Sequence, residues 1–280
     1  MLVVKEINKL KALISEKKGE GKKIGFVPTM GALHAGHLSL VERAGIESDY
    51  VVVSIFVNPT QFNDPNDLIR YPKNLERDLS LLEPTACRLV FAPEADAIYP
   101  EPDTRRFDFG QLEQVMEGRF RPGHFNGVAQ VVSKLFDLIG PDKAFFGLKD
   151  FQQIVIVKAM VKKLNLPVEI VSCPIIREEE GLAMSSRNER LTPRQRKNAA
   201  HIYRTLREAR NKARQMNVNE LCRWVVEQID ANEDLKTEYF DIVDDETLQR
   251  VKSWDEPVNK VGCIAVFCGD VRLIDNLAFN

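Results

Sequence analysis

The segment Pro28-Thr-Met-Gly-Ala-Leu-His-Ala-Gly-His37 decides the fold of this chain. Residues 22–27, directly before it, have the pattern of a strand, and Leu38, Leu40 and Val41, directly after it, have helical spacing. A strand, a glycine-bearing turn and a helix therefore follow one another. This order predicts the first unit of an α/β fold.

Strands and helices continue to alternate up to Ile176. Residues 50–57 and 88–92 are almost continuously apolar, which is typical of parallel strands buried on both faces. Other segments continue the alternation: a helix from residue 7 to 14, a helix at 127–139, a strand at 143–146, a helix at 151–164 and a strand at 168–176. The pattern predicts a Rossmann-like, doubly wound parallel sheet.

The character of the sequence changes after Ile176. A polar stretch, residues 177–181, precedes a long helical pattern that begins at Thr192-Pro193, a capping residue followed by proline at the first helical position. Short β-like runs follow at 239–243 and 261–267. We therefore predict a Rossmann-like domain over residues 1–176 and a smaller mixed α+β domain over residues 177–280. A chain of 280 residues is long enough for about two domains.

Composition excludes several classes of protein. With 44% hydrophobic and 29% charged residues, the chain is globular rather than disordered. Its 39 basic and 41 acidic residues give a net charge of −2, so no overall field attracts nucleic acid or a membrane surface. No apolar run suits a membrane span, and Lys5 and Glu6 interrupt the N-terminus before a signal peptide could form. We expect a cytoplasmic protein.

Charge is nevertheless separated along the second half of the chain. Residues 187–214 hold ten basic and two acidic side chains, whereas residues 220–256 hold twelve acidic and four basic ones. A basic helix can bind RNA, but a neighbouring acidic segment favours mutual compensation or solvated faces.

The five cysteines, an odd number, contain no C-x-x-C pair, and several lie in apolar runs. We interpret them as reduced core thiols rather than zinc ligands.

His34 and His37 give the first turn its chemistry. On a helical turn they share one face, and the helix N-terminus and nearby glycines favour a bound phosphate. Two alternatives remain open, a transition-metal site and a turn in which both histidines are purely structural. The metal alternative lacks a nearby Glu, Asp or Cys. No P-loop motif occurs, and residues 19–25 do not match the dinucleotide motif.

A second segment, Met184-Ser-Ser-Arg-Asn188, strengthens the nucleotide interpretation, although Ser-Ser-Arg alone is typical of a helix-capping loop. H-x-G-H after the first strand, together with this late loop, resembles the nucleotidylyl transferases and class I aminoacyl-tRNA synthetases. Four more segments complete the pattern: Asn58-Pro-Thr-Gln-Phe-Asn63, Arg121-Pro-Gly-His-Phe-Asn-Gly-Val128, Phe146-Gly-Leu-Lys-Asp-Phe-Gln-Gln153 and Arg272-Leu-Ile-Asp-Asn276. Across nearly the whole chain, the sequence resembles the pantoate–β-alanine ligase family.

The resemblance implies an ATP-dependent ligation in two steps. (R)-Pantoate attacks the α-phosphate of ATP to give pantoyl adenylate and pyrophosphate, and β-alanine then displaces AMP to give pantothenate. ATP is a substrate, and Mg²⁺ is expected as its chelating ion. The family also suggests a homodimer. Because residues 177–280 carry Met184 to Arg187 near their start, we expect this domain to act as a lid with hinge-like closure.

The resemblance further implies roles for individual residues. His37, usually called the proton donor, His34 and Lys149 are the expected catalytic residues. ATP binding is expected from Met30, Gly31, Ala32, Leu33, His34, Ala35, Gly36, His37, Gly147, Leu148, Lys149, Asp150, Ile176, Met184, Ser185, Ser186 and Arg187. Substrate binding is expected from Gln61, Gln153, Asn58, Tyr71, Arg121 and His124. Asp150 is the expected magnesium-facing carboxylate. The sequence departs from the family at Gln130, where threonine is common, and at Phe151, where tyrosine is common.

Two other functions are compatible with parts of the sequence. A nucleotidylyl transferase would move AMP onto a phosphate acceptor and would need a basic acceptor site, whereas this chain offers glutamines suited to a hydroxy acid. A regulatory or RNA-binding module would use the basic helix at residues 194–214.

Overall fold

A computed structural model describes residues Met1–Phe279. The strands of this part of the chain are β1 (Leu2–Val4), β2 (Ile24–Thr29), β3 (Tyr50–Ile55), β4 (Cys87–Phe91), β5 (Lys143–Gly147), β6 (Glu169–Cys173), β7 (Leu235–Asp244), β8 (Lys260–Cys268) and β9 (Val271–Ala278). The α-helices are α1 (Ile7–Gly19), α2 (Ala35–Glu47), α3 (Pro65–Arg70), α4 (Leu75–Leu82), α5 (Ala95–Ile98), α6 (Met116–Phe120), α7 (His124–Ile139), α8 (Phe151–Lys163), α9 (Pro193–Lys212) and α10 (Val218–Asp230).

The first six strands form one parallel sheet in the order β1-β4-β3-β2-β5-β6. The predicted Rossmann-like, doubly wound sheet is thus confirmed. Its strands are apolar along their length because helices cover them; Phe26 of β2, Val52 of β3 and Phe145 of β5 are fully buried. From β2 the chain adds β3 and β4 on one side, then returns to add β5 on the other side. The direction of winding therefore changes between β2 and β5.

Strand β1 lies outside the predicted elements. It has three residues, pairs in parallel with β4 at the edge of the sheet, and leaves Leu2 and Val3 exposed. Three residues are too few to show a period, so only pairing with a distant strand reveals this element.

The strands β7, β8 and β9 form a separate antiparallel sheet. Helix α9 begins as predicted, with Pro193 at its first turn and Thr192 as N-cap; the Thr192 hydroxyl accepts a hydrogen bond from the Gln195 amide. Helices α9 and α10 bury Leu206, Leu221 and their apolar neighbours in a core with this sheet. A mixed α+β arrangement is therefore present in the second half of the chain, as predicted.

The chain divides into two compact units. The first unit contains Met1–Phe109, Arg121–Leu148 and Gln153–Pro174, and the second contains Gly110–Phe120, Lys149–Gln152 and Ile175–Asn280. Two short segments that come before residue 175, Gly110–Phe120 and Lys149–Gln152, thus belong to the second unit. The pattern of strands and helices does not indicate these excursions.

The basic and acidic segments of the second unit contact each other at one point, in agreement with the predicted charge compensation. Arg194 of α9 lies 2.9 Å from Asp234 and 3.4 Å from Glu233, so the basic and acidic segments pair at this point. Two basic side chains of α9 also make cation–π contacts. Arg207 lies over the ring of Tyr203, and Lys212 lies over that of Trp224.

The cysteines of the chain are all free, four of them buried and Cys222 half-buried. Burial raises the pKa of Cys87 to about 12 and that of Cys268 to about 11, so these thiols stay protonated at neutral pH. Among residues 1–279, no helix combines the length and hydropathy that a membrane crossing requires.

Candidate active site

The reversal of winding places the first motif where α/β sheets bind ligands. Residues 30–34 leave β2 at its carboxyl end, and Gly147 ends the neighbouring strand β5. The crevice outside two such strands is the usual ligand site of an open parallel sheet. A side-chain carbon added at Gly147 would meet no atom within 4 Å, so the backbone of this strand end faces open space.

A tight turn joins β2 to α2 and has an unusual backbone. Gly31 has a φ of 80° and Ala32 a φ of 50°, both in the left-handed region. A side chain at Gly31 would meet Asp78 Oδ2 at 2.9 Å and the Ile55 methyl at 3.1 Å. Glycine is therefore required at position 31 by conformation and by space.

The carboxylate of Asp78 holds this turn. Asp78 is 1% exposed in α4, and its oxygens accept hydrogen bonds from the amides of Ala32 at 2.9 Å and Leu33 at 2.7 Å. These two bonds keep Ala32 in its left-handed conformation and fix where α2 begins. Asp78 is absent from the predicted site residues, because it lies 46 residues away from the turn in a helix with no motif of its own.

The two histidines cap the helix with one side of their rings. His34 is the N-cap of α2, and its Nδ1 accepts a hydrogen bond from the Gly36 amide at 3.1 Å. The Nδ1 of His37 accepts from the His34 amide at 3.4 Å, and the two ring centres are 4.1 Å apart. Since an accepting nitrogen carries no proton, each neutral imidazole holds its proton on Nε2. The structural interpretation and the phosphate interpretation are thus compatible, because these backbone bonds use Nδ1 and a ligand would use Nε2.

Gln61 lies in a buried polar group after β3. Its Oε1 accepts from Asn58 Nδ2 at 3.2 Å, and its Nε2 donates to the Met30 sulfur at 3.1 Å. The Asn58 amide also donates to the Gly127 carbonyl at 3.1 Å, which ties this segment to α7. The structure therefore brings together Met30, Asn58 and Gln61, which the sequence predicted separately.

His124 orients Arg121. His124 is 6% exposed, its Nδ1 lies 2.8 Å from the Gln61 carbonyl, and its Nε2 lies 3.2 Å from an Arg121 nitrogen. A carbonyl can only accept and a guanidinium can only donate, so Nδ1 carries the proton and Nε2 accepts. His124 is therefore neutral in this arrangement and sets the direction of the Arg121 guanidinium.

The remaining predicted residues of the first unit have simpler surroundings. Tyr71 is buried and packs edge-on against Phe62, with ring centres 5.8 Å apart. Gln153 is half-buried in the first turn of α8, and Leu148 begins the short turn after β5. Gln130, the departure from the family pattern, is buried and donates to the carbonyls of Asp103 and Arg105, a contact that threonine is too short to copy.

Lys149 and Asp150 belong to the second unit. The Lys149 ammonium lies 3.4 Å from the Asp150 carboxylate, whose side chain is 46% exposed. The Lys149 carbonyl accepts a hydrogen bond from the Asn276 amide at 3.1 Å. Among the described residues no group of three His, Cys, Asp or Glu side chains could hold a metal by itself. A lone carboxylate fits Mg²⁺ that arrives with phosphate ligands, because this ion keeps few protein contacts.

A hairpin-like loop carries Ile176 and Met184. The Met184 amide donates to the Ile176 carbonyl at 3.0 Å, and Arg177 pairs with Ala183 in an antiparallel bridge. Ser185 then caps the short helical turn Ser186–Arg190, since its hydroxyl accepts from the Arg187 amide at 3.2 Å. The capping role, typical of such a loop, is therefore present, and Ser186 is buried in this turn.

Comparison with known proteins agrees with this architecture. Residues 2–278 match the family model described as pantoate-beta-alanine ligase. The chain is 54% identical to a pantothenate synthetase of Bacteroides thetaiotaomicron, over 100% of this chain and 99% of that protein. It is 53% identical to a pantothenate synthetase of Porphyromonas gingivalis, over the whole of both chains.

Solved structures of similar proteins have the same fold. A pantothenate synthetase from Thermus thermophilus is 44% identical, with a TM-score of 0.93 over 100% of this chain and 99% of that one. A pantoate-beta-alanine ligase from Francisella tularensis, solved with beta-gamma ATP and beta-alanine, is 36% identical, with a TM-score of 0.83 over 100% of this chain and 98% of that one.

Proposed function

The chain belongs to the pantoate–β-alanine ligase family, and from this premise we propose that it joins (R)-pantoate to β-alanine with ATP, releasing AMP and pyrophosphate. The observation that carries the assignment of the site is the capped turn after β2. Both histidines accept backbone hydrogen bonds at Nδ1, so each carries an Nε2–H donor beside a helix N-terminus. The ligase family model covers residues 2–278 and therefore includes both the phosphate motifs and the basic helix. We therefore favour the ligase over a nucleotidylyl transferase and over an RNA-binding module.

The first step is the transfer of AMP to pantoate. A carboxylate oxygen of pantoate bonds to the α-phosphorus, and the bond to the β-phosphate oxygen breaks, so that pyrophosphate leaves with that electron pair. Negative charge grows on the bridging and phosphate oxygens. Donors that are already fixed stabilise this charge without reorganisation, and we assign this role to His34, His37 and Lys149.

The second step transfers the pantoyl group. The neutral amine of β-alanine attacks the carbonyl carbon of the acyl adenylate, AMP leaves, and the nitrogen loses a proton. Gln61 and Gln153 are proposed to orient the hydroxyls and carboxylate of pantoate, since amides both donate and accept. Gln61 is also proposed to contact β-alanine. Asn58, Tyr71, Arg121 and His124 line the pocket in this proposal, with Arg121 aimed by the neutral His124.

The remaining residues of the nucleotide motifs are assigned to ATP. We propose that the backbone of the turn and of the strand end accommodates the nucleotide, and that side chains of the late loop contact its phosphates and base. These residues are Gly31, Ala32, Leu33, Ala35, Gly36, Gly147, Leu148, Ile176, Met184, Ser185, Ser186 and Arg187. Met30 completes the set from beside Gln61.

Mg²⁺ is proposed to accompany ATP, with Asp150 as its protein contact. The ion would supply positive charge to the triphosphate. We also propose that the protein is a cytoplasmic homodimer without nucleic-acid or membrane partners. Residues 177–280 are proposed to act as a lid.

Isotope exchange tests the proposed reaction. Labelled pyrophosphate should enter ATP only when pantoate is present, because adenylation is the reversible step. His37→Ala, which removes the imidazole Nε2–H and supplies no other donor, should lower this exchange by about a hundredfold, a typical effect of losing one such donor. His201→Ala is the control, since His201 contacts the Gln228 carbonyl in the second unit. Exchange without pantoate would reject the ligase, and normal exchange by folded His37→Ala would remove His37 from the reaction.

A further inference from the structure

Strand β9 carries a polar stretch, Arg272 to Asn276, to which the proposed function gives no role. Asp275 and Asn276 are 5% and 8% exposed, so both are buried polar side chains. Adjacent residues of a strand point to opposite faces of the sheet. This pair can therefore hold two different segments from one strand.

Asn276 holds the start of the segment Lys149–Gln152. Its Nδ2 donates to the Lys149 carbonyl at 3.1 Å, which fixes the backbone from which the Lys149 side chain extends. The end of this segment is held by Gln152, which is 4% exposed and donates to the carbonyls of Leu112 and Val115 at 2.7 and 3.0 Å. The Glu117 amide donates back to Gln152 Oε1 at 2.9 Å. The four residues are thus held at both ends.

Arg272 supports the second of these anchors. Its guanidinium donates to both oxygens of Glu117, at 2.7 and 2.8 Å, and also pairs with Glu238. The Tyr239 hydroxyl donates to Glu117 at 2.9 Å. Glu117, whose amide caps Gln152, is therefore tied to the same stretch of β9.

Asp275 holds the loop that carries Ile176 and Met184. Its carboxylate accepts a two-pronged pair of bonds from Arg177, at 2.6 and 2.9 Å. The same guanidinium donates to the Gly181 carbonyl at 3.1 Å and lies 3.6 Å from the centre of the Tyr203 ring. Arg177 therefore fixes the tip of the loop from its base, and Asp275 fixes Arg177.

We propose that Asp275 and Asn276 are positioning residues for ATP: Asn276 sets the place of Lys149, and Asp275, through Arg177, sets the loop of Ile176 and Met184. This inference rests on the ATP roles proposed above for Lys149 and Met184. The proposed contacts of Lys149 and Met184 with ATP require these side chains at fixed positions, so a displacement of either segment weakens nucleotide binding. Neither residue needs to touch the nucleotide for this effect.

Binding of a non-hydrolysable β,γ-methylene analogue of ATP, measured by calorimetry on the full chain, tests the proposal. Asn276→Ala and Asp275→Asn should each weaken binding about tenfold, as expected for a lost buried hydrogen bond to an ordered segment. The KM for ATP should rise by the same factor, while the KM for β-alanine stays unchanged. Ile274→Val is the matched control, because it lies between Arg272 and Asn276 and makes no polar contact through its side chain; it should bind within about twofold of the parent.

A purely structural role would lower the melting temperature without changing affinity in the folded variant, and that result would overturn the proposal. If Asp275→Asn does not fold, Arg177→Lys replaces it, because lysine keeps the charge but loses the two-pronged geometry. Lys149→Ala distinguishes the proposed role of Lys149 in ATP binding from the positioning role of Asn276. Unchanged affinity in Lys149→Ala would reject the proposed role of Lys149 itself. Weakened affinity in Lys149→Ala, with parental affinity in Asn276→Ala, would reject only the positioning role.

Discussion

At the scale of single residues, the carboxylate of Asp78, which is buried and lies outside every motif, determines the shape of the turn between β2 and α2. The motif supplies Gly31 and the two histidines, but the left-handed backbone of Ala32 is uncommon for a residue with a side chain. Asp78 stabilises it by accepting the amides of Ala32 and Leu33. The chemistry of the turn thus depends on a residue from another helix.

Asp78→Asn should destabilise the fold and weaken ATP binding together. The substitution turns one acceptor oxygen into a donor that faces a backbone amide, leaving a buried N–H without its partner, so we expect a loss of about 2 kcal/mol in the free energy of unfolding. Urea unfolding and ATP titration measure the two effects. The control is Glu76→Gln, an exposed residue in the first turn of the same helix, α4. Parental stability in Asp78→Asn would contradict the assigned role.

At the scale of elements, the close approach of α7 to the segment after β3 fixes the surroundings of the buried Gln61. A side-chain carbon added at Gly127 would lie 2.3 Å from the Thr60 carbonyl oxygen and 2.7 Å from Gln61 Cα. These are backbone atoms of a short helical turn and cannot swing aside as a side chain does. The helix can therefore pack this closely only because position 127 is glycine.

Gly127→Ala should push α7 and the Gln61 turn apart. We expect a loss of about 1 to 3 kcal/mol in the free energy of unfolding, the usual range for overpacking. The KM for pantoate should rise several-fold, because Gln61 moves. Gly19→Ala, in helix α1, is the matched control, since nothing lies within 4 Å of its added carbon. It should not lower the free energy of unfolding, because alanine favours a helix more than glycine does, and it should leave the KM for pantoate unchanged. A pantoate KM equal to that of the parent would show that the helix accommodates the methyl group elsewhere.

At the scale of the whole molecule, part of the stability should depend on pH through one ion pair of the first unit, in which the carboxylate is buried and the arginine is partly exposed. The Asp103 side chain is 3% exposed; its carboxylate lies 2.7 Å from the Arg105 guanidinium and 3.6 Å from the Lys134 ammonium. Hydrogen bonds from Arg105 lower the pKa of Asp103 to about 2. A carboxyl group with a lowered pKa stabilises the fold above its usual pKa of about 4, and this contribution disappears as the pH falls from about 4 to 2.

Asp103→Asn should therefore cost more stability at neutral pH than in acid. We expect a difference from the parent on the order of 1 kcal/mol at pH 6, after allowance for screening by solvent, that narrows towards pH 3. Urea unfolding of both proteins at the two pH values measures it. Asp96→Asn, an exposed position in α5, should show no such narrowing. A difference that is constant with pH would assign the effect to packing instead of charge.

Much of this molecule follows from local patterns. Continuous apolar runs predicted β3 and β4, because parallel strands covered on both faces need them. Thr192-Pro193 predicted the start of α9, because capping is decided by neighbouring residues. The order of the motifs predicted which family the chain belongs to, and the asparagine and glutamine of the segment after β3 lie within hydrogen-bond distance of each other.

The sequence by itself determined the properties that depend on spacing along the chain: the period of each element, its caps, and the order of the motifs. Only the tertiary structure decided the pairing of β1 with β4 and the hydrogen bonds from the turn to Asp78. It also decided the contacts of Asn276 with Lys149 and of Asp275 with Arg177. The physical reason is range. Helical and strand periods arise between near neighbours, whereas a buried polar group takes whichever partner the fold brings to it, and Asn276 finds its partner 127 residues away.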